Sequence, residues 1–267
     1  MTPVAIAGLG AIGGVLAKKL DQGAIPGLQL AAVSARNLAK ASSLVRGFEH
    51  AVKVVPLSEL VAHADLVIEC APAATLSEVL TPFLSLGRSA VVLSVGGLLQ
   101  RPELIALAES TGAQIEVPSG ALLGIDAVLA AAEGVIHSVK LISRKPPQGL
   151  AGAPHLLTHH ISVEGLMAPL CVFRGNALEA VRGFPANVNV VAALALAGIG
   201  PERTQVELWA DPSITRNIHA IQVVSDAATF SVEIENIPSD NPKTSRIVVQ
   251  SVLAVLRKRS ATLRIGS

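Results

Sequence analysis

Aromatic side chains are almost missing: the chain of 267 residues has five Phe, one Trp and no Tyr. Its cores must be assembled from Ala, Val, Leu and Ile, the usual material of buried parallel sheets and the helices that cover them. Cysteine is scarce too. Cys70 and Cys171 stand far apart without a spacing motif, so they read as two reduced thiols of a cytosolic protein. Neither sign of charge prevails, since 21 basic and 20 acidic residues leave a formal net charge of +1. The charges are scattered, without the basic patch that nucleic acid requires. Long apolar runs are lacking as well. A membrane span takes about 18 apolar residues, and the best window, residues 188–200, is shorter and broken by Asn189. No basic residue precedes the apolar N-terminus, as a signal peptide would require. These absences predict a soluble cytoplasmic protein with no membrane or nucleic-acid partner.

What is present suits two compact domains. Hydrophobic residues make up 51% and charged residues 15%, and a domain usually takes roughly 100–200 residues. Apolar strand-like segments at residues 3–7, 28–34, 53–55, 65–71, 90–94 and 113–117 alternate with helical periods. Those periods run through Leu16 and Leu20, then over residues 38–45, 57–62, 76–84 and 102–111. Such alternation predicts an α/β fold with a doubly wound parallel sheet. The pattern changes near Pro118. Beyond it, helices are predicted over residues 121–133 and 186–198, and strands over 137–144, 204–210, 218–224 and 229–234. A second α/β domain with a mixed or antiparallel sheet follows from that order. The chain closes in an amphipathic helix with Ile247, Val248, Val252, Val255 and Leu256 on one face.

Gly8-Leu9-Gly10-Ala11-Ile12-Gly13 matches G-x-G-x-x-G, between a strand and an amphipathic helix. That context turns a weak motif into a Rossmann-type dinucleotide site. The first glycine makes the turn, the second lets the pyrophosphate approach, and the third lets helix and strand pack. The anion rests on the free N–H groups at the helix start, around Ala11, Ile12 and Gly13. Enzymes that prefer NAD tend to carry a carboxylate at the end of the second strand. Here Ser34 and Arg36 stand in that region, which favours tolerance of a 2′-phosphate; Arg36 could instead lie solvated over the adenine. NAD or NADP is therefore the expected cofactor. By position, the backbone at Ala71, Pro72, Ser94 and Gly96 should line its nicotinamide half. The dinucleotide-binding domain is assigned to residues 1–118, with residues 243–267 packing back on it, and the substrate and dimerisation domain to 119–242. No spacing of the seven histidines suggests a metal site.

The stretches GLGAIG, PSGALLGIDA, SRKPP, FRGNALEAVRGFPANVNVVAALALAGIG, ADPSITRNIHAI and ENIPSDNPKTS, in that order, resemble the L-aspartate dehydrogenase family. The resemblance implies a homodimer that oxidises L-aspartate to iminoaspartate, which yields oxaloacetate and ammonia or feeds pyridine nucleotide biosynthesis. It implies His219 as the active-site histidine and Ala121 and Asn187 as further cofactor contacts. A histidine suits a base working near neutral pH, and activity should then rise as its ring loses a proton. The two substrate carboxylates need cations or clustered donors. Lys243, Thr244 and Ser245, at the start of the last helix, are favoured over Arg144 and Lys145. An imine or enamine reductase built like dihydrodipicolinate reductase, and a non-catalytic nucleotide-binding regulator, are the competing readings.

Overall fold

The computed structural model describes residues 1–186, 188–239 and 245–266. It divides into two compact units, residues 1–118 with 249–264, and residues 119–248 with 265–267.

The first unit opens with β1 (Thr2–Ala7), α1 (Ala11–Asp21), β2 (Leu28–Ser34), α2 (Leu38–Val45) and β3 (Lys53–Val54). It continues with β4 (Leu66–Glu69), α3 (Leu76–Leu84), β5 (Ser89–Val92), α4 (Val95–Leu99), α5 (Pro102–Thr111) and β6 (Ile115–Glu116). The six strands are parallel and lie in the order β3-β2-β1-β4-β5-β6. This is the doubly wound Rossmann-type order, whose switch point falls between β1 and β4. Side chains alternate across a strand, so β1 feeds two cores. Ala5 and Ala7 join Leu76, Val79, Leu80 and Phe83 of α3 and Leu104 and Ala108 of α5. Val4 and Ile6 join Leu16, Ala17 and Leu20 of α1. Val252 and Leu256, near the end of the chain, complete that second core.

The second unit contains α6 (Ile125–Ala132), β7 (Ile136–Lys145), α7 (Pro154–Thr158), β8 (Leu170–Asn176), α8 (Ala177–Gly183) and α9 (Asn189–Ala197). Then follow β9 (Thr204–Ala210), β10 (Asn217–Ser225), β11 (Thr229–Asn236) and α10 (Arg246–Ser260), most of which belongs to the first unit. The strands are ordered β11-β10-β7-β9-β8. The β7–β9 pair is parallel and the other pairs are antiparallel, so the sheet is mixed. One face is buried, with Val139, Leu141, Val206, Leu208, Ile221 and Val223. The opposite face carries ion pairs of Glu207 with Lys140 and Arg174.

Two local expectations change. Residues 121–123 are not helical, because Gly124 adopts the left-handed region at φ 81° and α6 starts after it. The pair β8 and α8 was not read from the sequence. Its signal was Asn176-Ala177-Leu178-Glu179, a reciprocal cap in which Asn176 Oδ1 accepts the Glu179 N–H at 3.0 Å and Glu179 Oε2 accepts the Asn176 N–H at 2.9 Å. Among the described residues no helix is long and apolar enough to cross a membrane.

Candidate functional site

In the first unit the glycine turn joins β1 to α1. Gly8 has φ 100°, which only glycine adopts readily, and its N–H donates to the Ser34 carbonyl at 2.8 Å. A Cβ on Gly8 would sit 2.5 Å from the Cys70 carbonyl oxygen, so the residue after β4 presses on this turn. A Cβ on Gly13 would land on the Gly8 carbonyl oxygen. Gly10 differs: a Cβ there would meet nothing within 4 Å. The two flanking glycines are thus required by packing, whereas Gly10 borders open space. No side chain caps α1, and its first turn carries no acidic residue. The first-turn N–H groups and the positive helix end are therefore available to an anion. These features fit a pyrophosphate.

Ala11, Ile12, Ala71 and Pro72 lie at the same C-terminal edge of the sheet, after β1 and β4. Ser34 ends β2 and is buried, while Arg36, two residues on, is exposed. Arg36 is thus the side chain of that pair open to a phosphate in solvent.

The second unit gathers polar groups at one end of its buried face. His219 on β10 pairs in register with Ser143 on β7, and both side chains are buried. His219 Nδ1 lies 2.9 Å from Ser143 Oγ. Lys145, two residues along β7 and on the same face, is 7% exposed. Burial lowers its ammonium to about 8. Burial and then the Lys145 charge lower His219 to about 3. The imidazole is therefore neutral throughout the physiological range. Desolvation and a neighbouring cation both oppose its protonation.

Arg144 lies on the opposite face. It pairs with the buried Asp211 at 3.4 Å and sits 5.6 Å from the centre of the Trp209 ring. Asp211 is held below its usual range chiefly by the Ser213 hydroxyl, against its burial, and its N–H donates to the Lys145 carbonyl at 2.8 Å. Arg144 is thus committed to an ion pair, while Lys145 shares the face of His219.

Ala121 is buried, and its carbonyl accepts Asn236 Nδ2–H at 3.2 Å. Asn236 ends β11, in register with Asn217 of β10. Ser245 is buried and bridges to Pro238 just before α10. Asn187, Lys243 and Thr244 lie outside the described residues. The sequence reading had not singled out Ser143, Asn236 or Glu69. For Ser143 the signal was parity, because in HSVKLISRK it falls in step with the apolar Val139 and Leu141.

The family model "Aspartate dehydrogenase, C-terminal" matches residues 126–259, and "Homoserine dehydrogenase, NAD binding domain" matches residues 8–118. The chain is 54% identical over 264 residues to L-aspartate dehydrogenase 3 of Bordetella bronchiseptica, covering 99% of this chain and 97% of that one. It is 52% identical to the L-aspartate dehydrogenase of Bradyrhizobium diazoefficiens, covering 99% and 94%. The crystal structure of aspartate dehydrogenase from Thermotoga maritima shares the fold, with a TM-score of 0.77, 24% identity and complete coverage of both chains. A homoserine dehydrogenase from Thiobacillus denitrificans follows at a TM-score of 0.61 and 15% identity, covering 98% of this chain and 74% of that one. With a family model over half of its length and relatives above 50% identity along nearly all of it, the chain belongs to the L-aspartate dehydrogenase family.

Proposed function

We propose that the chain catalyses the NAD(P)-dependent oxidation of L-aspartate to iminoaspartate, which water converts to oxaloacetate and ammonia, and the reverse reductive amination. One observation carries the reading: a neutral buried imidazole and a buried lysine share one face of the second sheet. A dicarboxylic amino acid needs both, a base for its ammonium group and a cation for a carboxylate.

The bound cofactor supplies the two-electron acceptor for the hydrogen on the aspartate Cα. The first unit holds the dinucleotide over Gly8, Gly10 and Gly13, with Ala71 and Pro72 beside its nicotinamide half. In the second, His219 takes the proton that the substrate nitrogen loses. For Nε2 to accept it, Nδ1 must carry a hydrogen and donate it to Ser143 Oγ, which the 2.9 Å spacing allows. Lys145 receives one substrate carboxylate, and this pairing offsets the positive field on His219. The ring becomes a stronger base with substrate in place. Lys243, Thr244 and Ser245 serve the other carboxylate, and Ala121 and Asn187 complete the cofactor contacts. The protein works as a cytoplasmic homodimer, with residues 119–242 forming the substrate and dimerisation domain.

Purified protein supplied with L-aspartate, other amino acids and either NAD or NADP tests the reading through formation of reduced cofactor. Turnover is expected with L-aspartate and both cofactors, and oxaloacetate with ammonia should run the reaction backward. Replacing Arg36 with Ala should weaken NADP more than NAD. Binding of reduced cofactor without turnover of any amino acid would refute the assignment.

A further inference from the structure

One buried carboxylate ties together the loops at the C-terminal edge of the first sheet. Glu69 is the last residue of β4 and is fully buried. The rest of that strand, Leu66, Val67 and Ile68, is apolar, so a glutamate here calls for a reason. Its Oε1 accepts the Ala71 N–H at 2.9 Å and the Ser94 hydroxyl at 3.0 Å. Its Oε2 accepts the Leu93 N–H at 3.1 Å and the Ser94 N–H at 2.8 Å. These donors come from the segments that follow β4 and β5. The next residue, Cys70, donates its N–H to the Ala7 carbonyl at 2.8 Å, and the Cys70 carbonyl is the oxygen packed against Gly8. The Glu69–Ala71 segment thus touches the glycine turn as well.

We propose that Glu69 is a positioning residue for the dinucleotide, fixing the loops after β4 and β5 at the crevice edge beside the glycine turn. The inference rests on the reading of this edge as the cofactor site. Burial pushes the Glu69 carboxyl up from its ordinary range, while the Ser94, Leu93 and Ala71 donors oppose that shift. The donors thus offset part of the cost of a buried charge, and in return two loops share one anchor.

The geometry predicts what glutamine does in its place. In Glu69→Gln the remaining oxygen keeps the Leu93 and Ser94 N–H groups, and the amide NH2 faces the Ala71 N–H, donor against donor. The Ser94 hydroxyl can turn to the Ala71 carbonyl, already 3.1 Å away, and accept from the amide. Only the Ala71 tether is lost. Removing a partner from a buried group costs enough to weaken cofactor binding about tenfold if the loss is expressed there.

The experiment is a fluorescence titration of the wild type, Glu69→Gln and Ser94→Ala with NADH and NADPH, alongside steady-state kinetics and thermal melting. The expected result for Glu69→Gln is a Kd and cofactor KM raised about tenfold, with a much smaller change in the KM for aspartate. Ser94→Ala should show a smaller shift in the same direction. Wild-type protein that binds neither reduced cofactor would refute the cofactor reading itself. Wild-type binding matched by Glu69→Gln would overturn the positioning role alone. A uniform loss of both KM values in step with melting would also overturn it, reducing Glu69 to a stability element. Should Glu69→Gln fail to fold, unchanged cofactor affinity in Ser94→Ala would count against the proposal, and a selective loss there would support it.

Discussion

Ser143 Oγ lies 2.9 Å from His219 Nδ1, across paired positions of the antiparallel strands β7 and β10. The serine fixes which nitrogen of the ring faces the sheet. If His219 is the base, His219→Ala should cut turnover by about 100- to 10,000-fold. Ser143→Ala keeps the ring but removes its anchor, and should cost about 10- to 100-fold in kcat with little change in cofactor Kd. Steady-state kinetics beside NADH titration check both. Near-normal kcat in His219→Ala, with an early melt, would leave it only a packing role.

Lys145 gives activity a pH limb of its own. Its ammonium is held at about 8, so it loses its charge as the solution becomes mildly alkaline. If it receives a substrate carboxylate, kcat/KM for aspartate should fall above that pH in the wild type. Lys145→Met should raise the KM and abolish this limb. The growing fraction of free substrate amine is common to both proteins and cancels in their ratio. A ratio that stays flat with pH would show that Lys145 does not serve the substrate. The same variant removes a cation beside His219, and its ring should then bind a proton more readily. An imidazole NMR titration would reveal that shift.

Stability should respond to acid through His219. Its ordinary value of 6.5 falls to about 3 in the fold, so the unfolded chain binds the proton more readily. The associated stability is complete above pH 6.5 and drains away as pH falls toward 3. From pH 7 to 5 the loss amounts to about 2 kcal/mol. Asp21, Asp211 and Glu207 are held low, and add their losses only in the more acidic carboxylate range. Urea unfolding of the wild type and His219→Asn at the two pH values should show the smaller drop in the variant. Equal drops would contradict a buried neutral ring.

The three motif glycines should separate under mutation. Gly10→Ala meets no neighbour within 4 Å, so the fold should persist while cofactor affinity falls. Gly13→Ala would drive a methyl into the Gly8 carbonyl and should destabilise the unit itself. Melting curves and NADH titrations distinguish the two; unchanged affinity in Gly10→Ala would argue against pyrophosphate at this turn.

The first unit was legible because its strands are short segments rich in Val, Ile, Leu and Ala spaced by helical periods, and because the glycine turn leaves an unambiguous trace. The second unit's edge was not. In β8, LCVFRGN combines half-exposed positions with a register shift between Cys171 and Phe173, so no clean period of two survives. The polar end of the buried face was legible only in part. His219 stood out through the family resemblance, whereas Ser143 shows itself only once the buried parity of β7 is known. Glu69 hid in an apolar run, since its partners at Leu93 and Ser94 come from the segment after β5, 24 and 25 positions away. Which of Arg144 and Lys145 faces the histidine is likewise a matter of strand parity.

The late arrival of Val252 and Leu256 in the core beside β1 bears on how the chain is made. The ribosome finishes the six-stranded sheet long before it finishes α10, and until then the faces of Val4, Leu16 and Leu30 lack part of their cover. The amino-terminal half therefore emerges with an open apolar seam that α10 closes. A nascent chain halted before α10 should remain sensitive to protease and attractive to chaperones.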